Sequence, residues 1–191
     1  MKSKILKIAI VGKTNAGKST LINQIVGEKI SIQNKKVNTT QDLILGIKNI
    51  EETQLLFYDT PGSNFIKSIN KISKSHKTNL WNGINKSDLI LYLIDSNKIN
   101  INFLFNQLDK LIDISKKIIL VFNKIDLISS KKLFPIIQDI DVKYNIELFF
   151  NISAKKNTGI KKLLEEIRKY SYQSEWIYKK DEITNKDDEF I

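Results

Sequence analysis

A chain of 191 residues that is 41% hydrophobic and 27% charged can bury one substantial core and is too apolar to stay disordered. The absence of cysteine excludes disulfides and thiolate metal sites, and the single histidine, His76, excludes multi-histidine zinc centres. The formal charge of +10 accompanies 30 lysines, one arginine, 34 isoleucines and 19 asparagines, a skew resembling drift toward AT-rich codons, so the charge permits polyanion binding without demonstrating it.

No run of 18 apolar residues occurs, which excludes a membrane-spanning helix, and Lys7 interrupts the N-terminus too early for a secretory signal core. The expected setting is cytoplasmic. Peripheral contact with the inner face of the membrane is left open.

In chain order, Ile5–Val11 reads as a near-continuously apolar strand. It runs into Gly12-Lys13-Thr14-Asn15-Ala16-Gly17-Lys18-Ser19-Thr20 and a helix over Lys18–Gly27. Leu43–Ile50 and Gln54–Tyr58 read as an antiparallel hairpin turning at Glu51-Glu52, followed by Asp59-Thr60-Pro61-Gly62 and a helix near Ile69–Ile84. A strand over Asp88–Ile94, a helix over Ile101–Ser115 and a strand over Ile118–Phe122 lead to Asn123-Lys124-Ile125-Asp126. Then come a helix over Leu133–Tyr144, a strand over Glu147–Phe150, Ser153-Ala154-Lys155, and a helix over Thr158–Tyr170. Strand–helix alternation with one inserted hairpin predicts an α/β fold. The expected form is a mixed, mostly parallel six-stranded sheet with one antiparallel strand and helices on both faces.

The first loop matches G-x-x-x-x-G-K-[ST] in the strand–loop–helix setting the motif requires. Its glycines let backbone N–H groups converge on a phosphate at a helix N-terminus. Lys18 would reach the β- and γ-phosphates, and Ser19 would offer its hydroxyl to Mg²⁺. Asn123-Lys124-Ile125-Asp126 follows a strand about 105 residues later, at the sheet edge where open α/β folds bind ligands. Asp126 can accept from the N1–H and amino group of guanine, whereas adenine would leave the carboxylate unpaired. At about 1.5–3 kcal/mol per charged hydrogen bond, two bonds select guanine by roughly two to four orders of magnitude. Asp59 is placed to hold Mg²⁺ through water, the Gly62 N–H to meet the γ-phosphate, and Ser153, Ala154 and Lys155 to bring N–H groups to the guanine carbonyl.

These motifs, in this order, resemble those of translation-factor-related P-loop GTPases, and more narrowly the Era family within their TrmE-Era-EngA-like branch. Thr39-Thr40 followed by Gly46 looks like that family's first switch, and the stretch from Trp176 to Thr184 looks like its connector to an RNA-binding KH domain. The resemblance implies a three-layer P-loop NTPase fold, GTP binding and slow GTP hydrolysis, with GTP or GDP and Mg²⁺ as ligands. Lys18, Thr39, Thr40 and Gly62 would serve catalysis, and Ser19, Thr39 or Thr40, and Asp59 the metal. Asn15 resembles a K⁺-holding residue of potassium-activated relatives. The implied partner is the small ribosomal subunit or its 16S rRNA, with the chain as a monomer.

Lys13-Thr14-Asn15 and Gln41 depart from the family's usual Arg-Pro-Asn and arginine. The glycines provide no G-x-x-G loop of the kind a KH module needs. The expected division is a nucleotide-binding body over 1–170 and an acidic connector over 171–191, with six acids against three lysines, toward an absent KH domain. Lysines 67, 71, 74, 77 and 86, with no acid from Phe65 to Lys86, form a basic stretch that suits either a solvated helix face or an RNA contact. Competing readings are another ribosome- or tRNA-linked bacterial GTPase, a non-hydrolysing guanine-nucleotide module, or a P-loop kinase.

Overall fold

The computed structural model describes residues 2–27, 44–59, 83–113, 116–144, 146 and 148–179. Its strands are β1 (Lys4–Gly12), β2 (Ile44–Ile50), β3 (Thr53–Asp59), β4 (Leu89–Asp95), β5 (Lys117–Asn123), β6 (Phe149–Asn151) and β7 (Tyr172–Gln173). Its helices are α1 (Lys18–Val26), α2 (Ile101–Ile112), α3 (Leu133–Tyr144) and α4 (Ile160–Arg168), and residues 83–86 are also helical. The sheet order is β2-β3-β1-β4-β5-β6. β1 is parallel to β3 and β4, the β4–β5 and β5–β6 pairs are parallel, and β2 is antiparallel to β3.

The strands are apolar because both faces are covered. Leu6, Ile8 and Ile10 of β1 pack with Leu21, Ile22 and Ile25 of α1 and with Ile160, Leu163 and Ile167 of α4. On the other face, Ala9 and Val11 pack with Leu104, Leu108 and Leu111 of α2 and with Leu133 and Ile140 of α3. Alternate residues of one strand therefore feed two separate cores, as period-two side-chain geometry requires. The layered α/β architecture and its mixed sheet are those expected.

The strand count is not: among the described residues the sheet has seven strands, and a second antiparallel pairing. β7 lies against Lys4 and Ile5, while β4 begins its pairing with β1 only at Ile8. One edge of β1 is thus shared end to end. Asp88 marks the junction, its N–H donating to the Lys7 carbonyl at 2.7 Å and its Oδ2 accepting from the Lys7 N–H at 2.9 Å. A two-residue strand has no periodicity to betray it, so only this vacant backbone edge explains it.

Boundaries also move. α4 starts at Ile160 because Thr158 is engaged in a two-bond bridge with Ser153, both bonds 3.1 Å, and Gly159 turns the chain at φ 77°. α2 stops at Ile112, short of the expected Ser115. The predicted helix 69–84 lies outside the described residues except at its end, where helical structure continues to residue 86.

Candidate functional site

The site is built at the carboxyl ends of β1, β4 and β5. β1 delivers Gly12, where a Cβ would fall 2.5 Å from the Leu93 carbonyl oxygen, so the strand can lie this close to β4 only with glycine. The chain then turns through Asn15 at φ 67° and Gly17 at φ 99° into α1. Gly17 brings no side chain to cap the helix, in contrast to α2, where the Asn100 side chain accepts from the Phe103 N–H at 2.9 Å. The first turn of α1 also contains no acidic residue. An uncapped helix start with no competing carboxylate is a slot for an external anion.

Lys18 bends back over the loop, its Nζ 3.0 Å from the Gly12 carbonyl and 3.4 Å from that of Lys13. Its ammonium is thereby suspended at the loop mouth, half-buried. Ser19 and Thr20 are exposed on the same helical turn, as are Lys13, Thr14 and Asn15 on the loop, while Ala16 is buried beneath it.

Asn123 ends β5 and is 2% exposed. Its Nδ2 donates to the Ala16 carbonyl at 2.8 Å, and its Oδ1 accepts from the Ala154 N–H at 2.9 Å. One amide therefore stitches the phosphate loop to the Ser153-Ala154-Lys155 loop. Lys124, at φ 63°, sends its Nζ to the Asn15 carbonyl at 2.7 Å and to Asp95 Oδ2 at 2.6 Å. Its role here is as a cross-brace between loops.

Asp126 is exposed at the rim. A hydrogen bond from the Ser153 hydroxyl holds its carboxyl below the ordinary value, aided by its own backbone amide and by the charges of Lys156 and Lys155, against a partial desolvation that pushes upward. An ionised carboxylate is thus presented outward beside buried Ser153 and Ala154 and exposed Lys155.

The structure brings together Gly12 through Thr20, Asn123, Lys124, Asp126, Ser153, Ala154 and Lys155. Asp59 ends β3, in register with Ile10 of β1, on the same edge of the sheet. Thr39, Thr40 and Gly62 lie outside the described residues. Asp95 was not among the expected residues. Its signal in the sequence was an acid closing an apolar strand, Leu89–Asp95, at the ligand-binding edge. Arg168 pairs with Glu51 at 2.5 Å, at the β2–β3 turn and hence at the opposite end of the sheet from Gly12.

Known proteins resemble this chain in sequence and in fold. Residues 7–124 match the family described as 50S ribosome-binding GTPase. GTPase Era of Rickettsia prowazekii is 38% identical over 188 residues, covering 98% of this chain and 63% of that protein. A crystal structure of Era in complex with MgGDPNP and nucleotides 1506–1542 of 16S ribosomal RNA superposes with a TM-score of 0.72 at 34% identity, over 94% of this chain and 61% of that one. A structure of an Aquifex aeolicus Era variant bound to GDP and AlF4⁻ gives the same TM-score and identity, over 97% and 62%. The chain therefore spans about three-fifths of the length of these relatives. With the family match covering more than half its residues and the phosphate loop within it, the chain belongs to the 50S ribosome-binding GTPase family.

Proposed function

We propose that this chain is a guanine-nucleotide switch that binds GTP and GDP with Mg²⁺ and hydrolyses GTP slowly. The observation carrying the reading is the Asn123 side chain, which locks the anion slot of α1 and the loop beside Asp126 into one rigid unit. A phosphate chain on the first and a guanine ring on the second would share that frame.

In this reading Lys18 exchanges its loop carbonyls for phosphate oxygens and neutralises them. The N–H groups of the loop and first turn donate to the phosphates, and Asp126 accepts from guanine. Ala154 orients its loop through the bond to Asn123. The uncapped turn bearing exposed Ser19, with Asp59 ending the neighbouring β3, suits a divalent ion. Ser19, Asp59 and one of Thr39 and Thr40 would hold Mg²⁺, which when bound offsets phosphate charge. Gly62 would meet the γ-phosphate, and Asn15, exposed on the loop, would face K⁺.

Hydrolysis unaided runs at about 10⁻⁴–10⁻² s⁻¹, because Ser63 stands where Ras-like enzymes carry a water-orienting glutamine and Arg168 is tied up at the far end of the sheet. Residues 1–170 form the nucleotide-binding body and 171–191 a connector whose first residues dock back on β1 and β3. The partner in this reading is the small ribosomal subunit or its RNA, the ligand named for the structural relative at TM-score 0.72. In this reading the chain acts as a monomer in the cytoplasm with peripheral contact at the inner face of the membrane, checked by sedimentation and vesicle flotation.

The test is equilibrium binding of a fluorescent GDP analogue with Mg²⁺, competed by GDP and ADP, followed by single-turnover phosphate release. Displacement by GDP alone, followed by slow release faster in K⁺ than in Na⁺, supports the reading. Equal displacement by ADP supports a kinase. Binding without phosphate release supports a non-hydrolysing module. Equal rates in the two salts remove the Asn15 assignment.

A further inference from the structure

Two residues with side chains hold left-handed backbone in the site, Asn15 at φ 67° and Lys124 at φ 63°. Asparagine adopts that region readily, lysine rarely, so the turn at Lys124 is the one that needs support. One group links the two turns. The Lys124 ammonium donates to the Asn15 carbonyl at 2.7 Å.

What holds the ammonium is Asp95. Its Oδ2 lies 2.6 Å from Lys124 Nζ, and the two side chains are only 13% and 30% exposed. Its Oδ1 is engaged separately, accepting from the Asn97 N–H at 3.0 Å at the start of a short 3₁₀ turn. The β4–β5 register sets Asp95 directly opposite Asn123, so the carboxylate is carried on a buried strand rather than on a loop. A short, partly buried and charge-assisted contact of this kind is strong and directional. A lone Lys124 would gain more from water than from one neutral carbonyl.

We propose that Asp95 is a positioning residue that acts through Lys124 to hold the phosphate loop, at Asn15, in the shape that receives the nucleotide. It touches no ligand. Its effect falls on how long nucleotide is retained, not on which base is chosen, because Asp126 and Ser153 lie on the other side of Lys124 in the chain and keep their own contacts. The inference rests on the nucleotide-switch reading for its consequence, but the contacts themselves lie within this chain.

Asp95→Asn is the informative variant, since the amide oxygen can still accept from Asn97 while the charge facing Lys124 is gone. In the nucleotide-free chain, hydrogen exchange in a peptide covering residues 12–18 should quicken about tenfold, with no change over residues 104–111. Release of a fluorescent GDP analogue should quicken by a similar factor of about ten, with GDP-over-ADP preference intact. In a Lys124→Met background the same substitution should add less than about twofold, because two residues acting in series are not additive. Unchanged exchange at residues 12–18, or equal effects in the two backgrounds, overturns the proposal. If the unmutated chain takes up no guanine nucleotide, the switch reading fails while the exchange measurement still judges the brace. If Asp95→Asn does not fold, Lys124→Met alone must raise exchange at residues 12–18, and full protection there overturns the proposal.

Discussion

Asn123 shows how one side chain can decide whether a set of loops is a site. Both halves of its amide are used, at 2.8 and 2.9 Å, in a position with 2% exposure. Asn123→Ala leaves the Ala16 carbonyl and the Ala154 N–H without their partner. The expected cost is about 2–4 kcal/mol in a urea melt, together with loss of measurable guanine-nucleotide uptake. Gly17 depends on the same amide from the other side, since a Cβ there would lie 2.3 Å from Asn123 Nδ2 on backbone at φ 99°. Gly17→Ala should therefore abolish nucleotide binding in a titration, and pairing it with a smaller residue at 123 should not restore it, because the strained φ persists.

The carboxyl of Asp126 carries a pH signature. Its folded value is depressed, so its contribution to folding is present above the unfolded value and disappears as pH falls through the folded one. Ser153→Ala removes the first cause of that depression. Carboxyl NMR should then show the Asp126 titration moving upward, toward the ordinary value of about 3.9. An unmoved titration would assign the depression to the neighbouring lysines instead.

At the scale of elements, the segment after α4 is more than a trailing end. Gln54 of β3 is wholly buried, and its Oε1 accepts from the N–H groups of Ile177 and Tyr178 at 3.0 and 3.1 Å. Its Nε2 donates to the Tyr178 carbonyl at 2.9 Å, and Trp176 Nε1 donates to the Glu52 carbonyl at 3.0 Å. Tyr178 also packs on Ile47, Leu56 and Tyr58, covering part of the hairpin face that α2 and α3 do not reach. Gln54→Leu deletes three bonds to this segment. It should lower stability by about 2–4 kcal/mol and shift Trp176 fluorescence to the red as the segment leaves the hairpin. Fluorescence identical to that of the unmodified chain would mean that apolar packing alone holds it. Elements with long apolar runs were legible in the sequence because burial on two faces leaves a compositional mark. β7 and the Gln54 clamp leave none, since they depend on backbone edges and an amide that pair across more than a hundred residues.

Across the whole molecule, the phosphate loop and the lone arginine occupy opposite ends of the sheet. Arg168→Ala should therefore leave single-turnover phosphate release unchanged. Its pairing with the largely exposed Glu51 makes the loss of stability about 0.5–1 kcal/mol by thermal melt. A large fall in hydrolysis would require a different placement of α4 relative to β1. Among the described residues no helix is long and apolar enough to cross a membrane, in keeping with the hydropathy of the sequence.

The placement of the loops could be read from the linear chain. Gly12 through Ser19 and Asn123 through Asp126, each following an apolar strand, were expected at one edge of the sheet and lie there, because fixed residue types at short spacing mark where a strand ends and a loop begins. The bracing of those loops could not be read that way. Asn123 reaching Ala16, Lys124 reaching Asn15, and Asp95 reaching Lys124 join positions 29 to 109 residues apart. Which pairs meet depends on strand order and on the β4–β5 register, quantities that arise only when two hydrophobic faces close over a single sheet.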